Sequence, residues 1–149
     1  MKANGSLHII IHIRDMDIKE LLNETDHFAA DAGCRITEVT PTSAVAEMTV
    51  TARHLNGGGV CQGGALFTLA DLAIAALMNQ GGQLTFGIQN SIMFIASALE
   101  GDRLRAVAAS ICDHRKIPSV EVTVSNQDGR TICHVTGLGY RKAQEVPKK

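Results

Sequence analysis

Hydrophobic and polar positions alternate along most of this chain, and the alternation breaks once. "CRITEVT" (34–40) and "SAVAEMTVT" (43–51) flank the turn-forming "PTS", the pattern of a β-hairpin. Four more strand-like runs follow, at roughly 83–97, 102–113, 118–127 and 130–141, with "NQDG" (126–129) as the hairpin turn between the last two. Upstream, "DIKELLNE" (17–24) carries Ile18, Leu21 and Leu22 on one face of a short helix. Between the two sets of strands the period changes. From Gly63 to about Gln80 the chain is rich in Ala and Leu, apolar almost all round, and closes on the helix stop "NQGG".

A helix apolar around most of its circumference has to be enclosed. Antiparallel strands before and after one such helix predict an α+β fold, a curved antiparallel sheet wrapped around one long central helix. The 149 residues suit a single domain. Residues 1–28 then form an N-terminal strand and helix extension, and 143–149 a loose tail.

Composition narrows the function. A net charge of −1 leaves no global field for nucleic acid or an anionic membrane. Aromatic content of 3%, without Trp, argues against base-stacking platforms. The four cysteines (34, 61, 112, 133) contain no C-x-x-C pair, which excludes neither packing nor reactivity but gives no zinc or secreted-disulfide signature. "LHIIIHI" is too short for a signal segment, and the apolar run around residue 70 contains Asp71 and is too short to span a bilayer. The expected setting is a reducing cytoplasm.

Several motifs fail. From Gly57 the dinucleotide pattern needs Gly at 62, where Gln stands, and after Gly59 and Gly64 the Walker pattern meets Ala65 instead of Lys. His8 and His12 have metal-ligand spacing only on a helix, and their β-branched surroundings make a strand. Cys61 precedes a helix N-terminus, which lowers a thiol pKa, but no base partner is identifiable, so it reads as a packed hydrophobe.

One constellation survives. Gly63-Gly64 opens the central helix, where unpaired N–H groups can receive an oxygen with partial negative charge. Asn56 offers an amide donor just upstream. Asp71, a poor interior helix residue, lies eight positions after Gly63, about 12 Å along the axis at 1.5 Å per residue. A carbonyl-polarising end plus a carboxylate base is what water attack on an activated acyl group needs. Such an offset defeats one chain acting alone, whereas a two-fold-related copy brings its Asp to this helix's start.

"HLNGGGVCQGGALFTLADLAIAALMN" resembles the hotdog-fold acyl-CoA thioesterases of the PaaI-like (phenylacetic acid degradation) branch, through Phe67, Leu69-Ala70-Asp71, Ala73, Ala75 and Asn79. The likeness continues through "NSIMFIASALEGDRLRA" and covers roughly residues 30–142. It implies that Asp71 is general base or nucleophile, that Ser91 positions the attacking water, and that Gly63 N–H, assisted by Asn56, polarises the thioester carbonyl. It also implies a homodimer with its active site shared between subunits, or a dimer of dimers. Coenzyme A enters as part of the substrate, with no metal or other cofactor. Arg103, Arg115 and Lys116 are the basic candidates for its nucleotide.

The chain departs from the family at Gln62, where His is usual. Gln can donate a hydrogen bond but carries no proton or charge near neutral pH, which implies slower assistance to the leaving thiolate. Met93 and Ser97 replace acidic and Pro residues and bear on the acyl pocket. A binder that keeps the fold without efficient hydrolysis is therefore the alternative reading. A hotdog hydratase is more distant, because the helix supplies no His.

Overall fold

The computed structural model describes residues 17–146. Six strands form one antiparallel sheet: β1 (Arg35–Val39), β2 (Ser43–Thr49), β3 (Gln83–Phe94), β4 (Arg103–Cys112), β5 (Ser119–Ser125) and β6 (Thr131–Glu145). Their spatial order is β1-β2-β4-β5-β6-β3. Helices α1 (Ile18–Thr25) and α2 (His27–Asp31) precede the sheet, a 3-10 turn (Ala52–His54) follows β2, and α3 (Gly63–Asn79) packs against all six strands. This is the wrapped helix that the hydrophobic pattern predicts.

The departures have local causes. Helix α2 and the 3-10 turn are too short to show a period; Asp26 starts α2 by accepting from Ala29 N–H at 3.0 Å. Residues 17–28 are tied to the sheet. The Asn23 amide donates to Ile36 O at 2.9 Å and accepts from Ile36 N–H at 2.8 Å, tying α1 to the outer edge of β1. At the other end β6 runs to Glu145, so Ala143–Glu145 belong to the sheet and not to a loose tail. Buried Val146 follows, donating to Gly82 O at 2.8 Å. The expected strand at "LHIIIHI", with His8 and His12, lies outside the described residues.

Close approach of helix to sheet rests on small side chains. Fully buried Ala44 and Ala46 of β2 and Ala106 and Ala108 of β4 share the core with Ala70, Ala73 and Ala76 of α3. On β6 even a methyl group is too large. A Cβ on Gly139 would come within 2.6 Å of Met78 Sδ, and one on Gly137 within 3.2 Å of Ile74 Cδ1. Leu69, Ile74, Leu104 and Ile132 fill the space between, each contributing roughly 1.5–3 kcal/mol by leaving water. Enclosure is incomplete, however. Gly64 and Asp71 are exposed on one side of α3, with Phe67, Thr68 and Ala75 half-buried beside them.

The two sheet edges differ. Asn23 covers part of β1, whereas β3 has a neighbour on one side only and exposes Phe86, Ile88, Met93 and Phe94 by more than half, as Ile95 is just beyond it.

Asn79 locks the far end of α3. Its Nδ2 donates to Ala75 O at 2.9 Å and Thr85 O at 3.1 Å, and its Oδ1 accepts from Thr85 N–H at 2.8 Å. Asn79→Ala strands buried Thr85 backbone groups and is expected to lower unfolding free energy by about 2–4 kcal/mol. Urea unfolding of both proteins measures it; a loss below about 1 kcal/mol would mean that water replaces the amide.

Candidate active site

The loop ahead of α3 is built by two side chains. Asn56 Oδ1 accepts from Gly58 N–H at 2.8 Å and Val60 N–H at 3.3 Å, which folds the glycine run back on itself. Its Nδ2 has no partner among the described residues. His54 holds the base of the loop: Nδ1 takes Thr51 N–H at 2.9 Å, so Nε2 carries the proton and donates to Ala32 O at 2.7 Å. The His54 carbonyl accepts Gln62 N–H at 2.7 Å, setting the point where the helix begins.

Gln62 is the N-cap of α3, and its Oε1 accepts Gly64 N–H. One helix-terminal donor is thereby occupied by the chain itself. Gly63 N–H is left without a partner among the described residues, and so is Gln62 Nε2. The Phe94 ring crosses directly over Gly63, where a Cβ would meet Cζ at 2.7 Å, so glycine is what lets the ring close down on the helix start. Asn56, Val60, Cys61, Gly63, Leu66 and residues 94–97 line an open cleft of 390 Å³. A larger depression of 810 Å³, between α2 and the 3-10 turn, contains none of the candidate residues. Cys61 is buried, and desolvation raises its thiol pKa above the usual value, the opposite of a nucleophile prepared by a helix end.

Asp71 lies on the open side of α3, two turns beyond Gly63 and about 12 Å from it by helical rise. Its Oδ1 accepts from Asn90 Nδ2 at 2.9 Å, and its Oδ2 has no partner among the described residues. Although the side chain reaches solvent in the single chain, the apolar wall around it desolvates the carboxyl and raises its pKa. The Asn90 hydrogen bond opposes that rise, and Asp26 adds to it.

Asn90, and not Ser91, is the residue of β3 that reaches Asp71 within the chain. Asn90 pairs with Gly137, whose missing side chain points at α3, so Asn90 faces the helix and Ser91, the next residue, faces away. Position 91 therefore cannot set a water beside Asp71 of the same chain. A register shift between Gly87 and Gln89 displaces the alternation upstream, which is why counting along β3 from its start does not find Asn90.

The basic candidates do not converge. Arg103 begins β4, its N–H bound to Gln127 Oε1 at 2.9 Å, whereas Arg115 and Lys116 lie past the strand's other end, roughly 30 Å away at 3.4 Å per residue. Lys116 Nζ stands 5.9 Å from the Tyr140 ring centre and Lys142 Nζ 5.1 Å from that of Phe86. Among the described residues no three His, Cys, Asp or Glu side chains gather as metal ligands would, and no helix is long and apolar enough to cross a membrane.

The sequence profile of the thioesterase superfamily matches residues 58–133, the span from the glycine loop to β6. Acyl-coenzyme A thioesterase PaaI of Escherichia coli K12 is 33% identical over 118 residues, 79% of this chain and 84% of that protein. The structure of the E. coli PaaI protein superposes with a TM-score of 0.82 at 31% identity, over 85% of this chain and 91% of that one. A variant of the phenylacetic acid degradation protein PaaI from Thermus thermophilus superposes with a TM-score of 0.74 at 27% identity, over 77% and 98%.

The surroundings of Asp71 have a direct consequence. Its carboxyl carbon, followed by ¹³C NMR, should titrate above the ordinary aspartate value of 3.8. A midpoint at or below that value would mean the Asn90 hydrogen bond outweighs desolvation.

Proposed function

The chain belongs to the thioesterase superfamily as a PaaI-like member with the hotdog fold, and we propose that it is an acyl-CoA thioesterase, turning an acyl-CoA and water into the free acid and coenzyme A. The observation that carries the site assignment is an unoccupied Gly63 N–H at a helix start together with a carboxylate, Asp71, that keeps one oxygen free. The thioester carbonyl accepts from Gly63 N–H, with Asn56 Nδ2 as second donor. Asp71 takes a proton from water as that water attacks the carbonyl carbon. Negative charge gathers on the carbonyl oxygen, where the helix end stabilises it. Collapse of the tetrahedral adduct breaks the carbon–sulfur bond, and the proton held by Asp71 returns to the departing thiolate.

These groups serve one substrate only across a two-fold axis, since one continuous helix separates them. The open, apolar β3 edge supports a homodimer in which two copies pair there, each giving Asp71 to the other's Gly63. A dimer of dimers would repeat that unit. Arg115 and Lys116, with Lys142 nearby, are the candidates for the coenzyme A phosphates; Arg103 is too distant to share one nucleotide with them in the same chain. Four free cysteines suit a reducing cytoplasm.

Thiol release from a panel of acyl-CoAs tests the activity; coenzyme A derivatives that bind without releasing thiol would make this chain a binder. Asp71→Asn should keep the fold and lower kcat by about 10²–10⁴-fold. Mixing it with Asn56→Ala protein should regain activity through hybrid dimers, and no recovery after verified subunit exchange would argue against a shared site.

Gln62→His is expected to raise kcat about three- to tenfold with little change in KM. A charge-assisted hydrogen bond to the departing sulfur exceeds a neutral one by roughly 1 kcal/mol, and it forms only as charge develops. A doubly protonated imidazole has no nitrogen left to accept Gly64 N–H, so the gain requires that donor to be released to substrate or water. Unchanged kcat across several acyl-CoAs would place residue 62 away from the sulfur.

A further inference from the structure

Asn90 makes an unusual choice of partners. Its Nδ2 donates to Asp71 Oδ1, while its own Oδ1 is buried over Gly137 with no hydrogen bond. Among the described residues it is the one buried side-chain oxygen or nitrogen left in that state. Buried polar atoms are nearly always paired, so an orphan marks an orientation imposed by something else. Turning the amide over would bring two oxygens together at an ionised Asp71, so the carboxylate holds the amide as it is. Space for this exists because position 137 is glycine; a Cβ there would stand 2.6 Å from Asn90 Oδ1.

We propose that Asn90 is the positioning residue for the Asp71 base: its hydrogen bond engages Oδ1, fixes the carboxylate plane and leaves Oδ2 as the oxygen that takes the proton. This rests on the thioesterase reading for its effect on rate, but not for its effect on Asp71. A neutral donor holds the ionised form without neutralising it, so basicity is tempered and not abolished. The charged surroundings leave that role to Asn90. Of the groups on elements packed against α3, Asp26, between α1 and α2, acts on Asp71 in the same direction as burial. Glu47, Arg103 and Arg105 alternate with the buried residues of β2 and β4 and so lie on the outer face, where Arg105 meets Glu47 at 3.7 Å. Glu121 of β5 is occupied there with His134 of β6, at 3.7 Å. No basic side chain among the described residues pairs with Asp71.

The test compares wild type with Asn90→Ala, which removes the donor, and Asn90→Asp, which keeps the shape and places a second carboxylate beside Asp71. Two readouts are followed in the full chain: the acid limb of kcat against pH, and the ¹³C titration of the Asp71 carboxyl. Asn90→Ala should move both midpoints up by about one pH unit and lower plateau kcat roughly three- to tenfold. Asn90→Asp should move them further, since neighbouring carboxylates resist joint ionisation. Should Asn90→Ala fail to fold, the isosteric variant decides alone. Midpoints unchanged in a folded variant would overturn the proposal and leave Asn90 a packing residue. A chain that releases no thiol from any acyl-CoA would sink the thioesterase reading, while the carbon titration would still judge Asn90.

Discussion

How closely α3 can approach the sheet governs most of what this molecule presents. Alanines on β2, β4 and the helix, with Gly137 and Gly139 on β6, allow a separation that larger side chains would forbid. That seating decides which helix positions are submerged and which remain at the rim. It also brings the Asn90 amide within reach of Asp71 and lets the Phe94 ring lie on Gly63. Enlarging any of these small residues would tilt the helix and disturb both of its functional ends together, because a helix moves as a rod.

The two ends divide the electrostatic work. Backbone dipoles supply the positive end at Gly63, requiring no ionisable side chain and thus no dependence on pH there. Asp71 supplies the negative end, and its environment is the part that titrates. Gln62 belongs to the first group: its carbonyl oxygen is committed to Gly64 N–H, so its amide hydrogens have little freedom to point anywhere but outward. As N-cap, Gln62 has its side-chain position set by the start of the helix.

The architecture was largely legible because burial imposes clean periods on long elements. Alternation located all six strands, and loss of alternation located α3. What escaped was short or irregular: five-residue α2, held by the Asp26 cap, and the continuation of β6 past its last apolar alternation. Asp71 and Gly63 stood out in sequence since a carboxylate and a glycine are conspicuous in an apolar helix. Asn90 did not, because a polar residue in an edge strand is unremarkable until its face is known. The register shift at Gly87–Gln89 sets that face, turning Asn90 toward Asp71 and Ser91, which the resemblance selects, away from it.

Cys61 lends the cleft a chemical restraint of its own. Cys61 is among the residues that line the cleft beside Gly63, so a bound thioester would lie close to a second sulfur. Exchange of an acyl group between sulfurs proceeds through the thiolate, and it would trap the acyl chain on the protein. Burial keeps Cys61 protonated and holds it against Gln62 O at 3.8 Å, so the wall presents an inert thiol to its cargo. A thiol desolvated in this way is a poor acyl acceptor, which leaves water as the nucleophile the cleft favours.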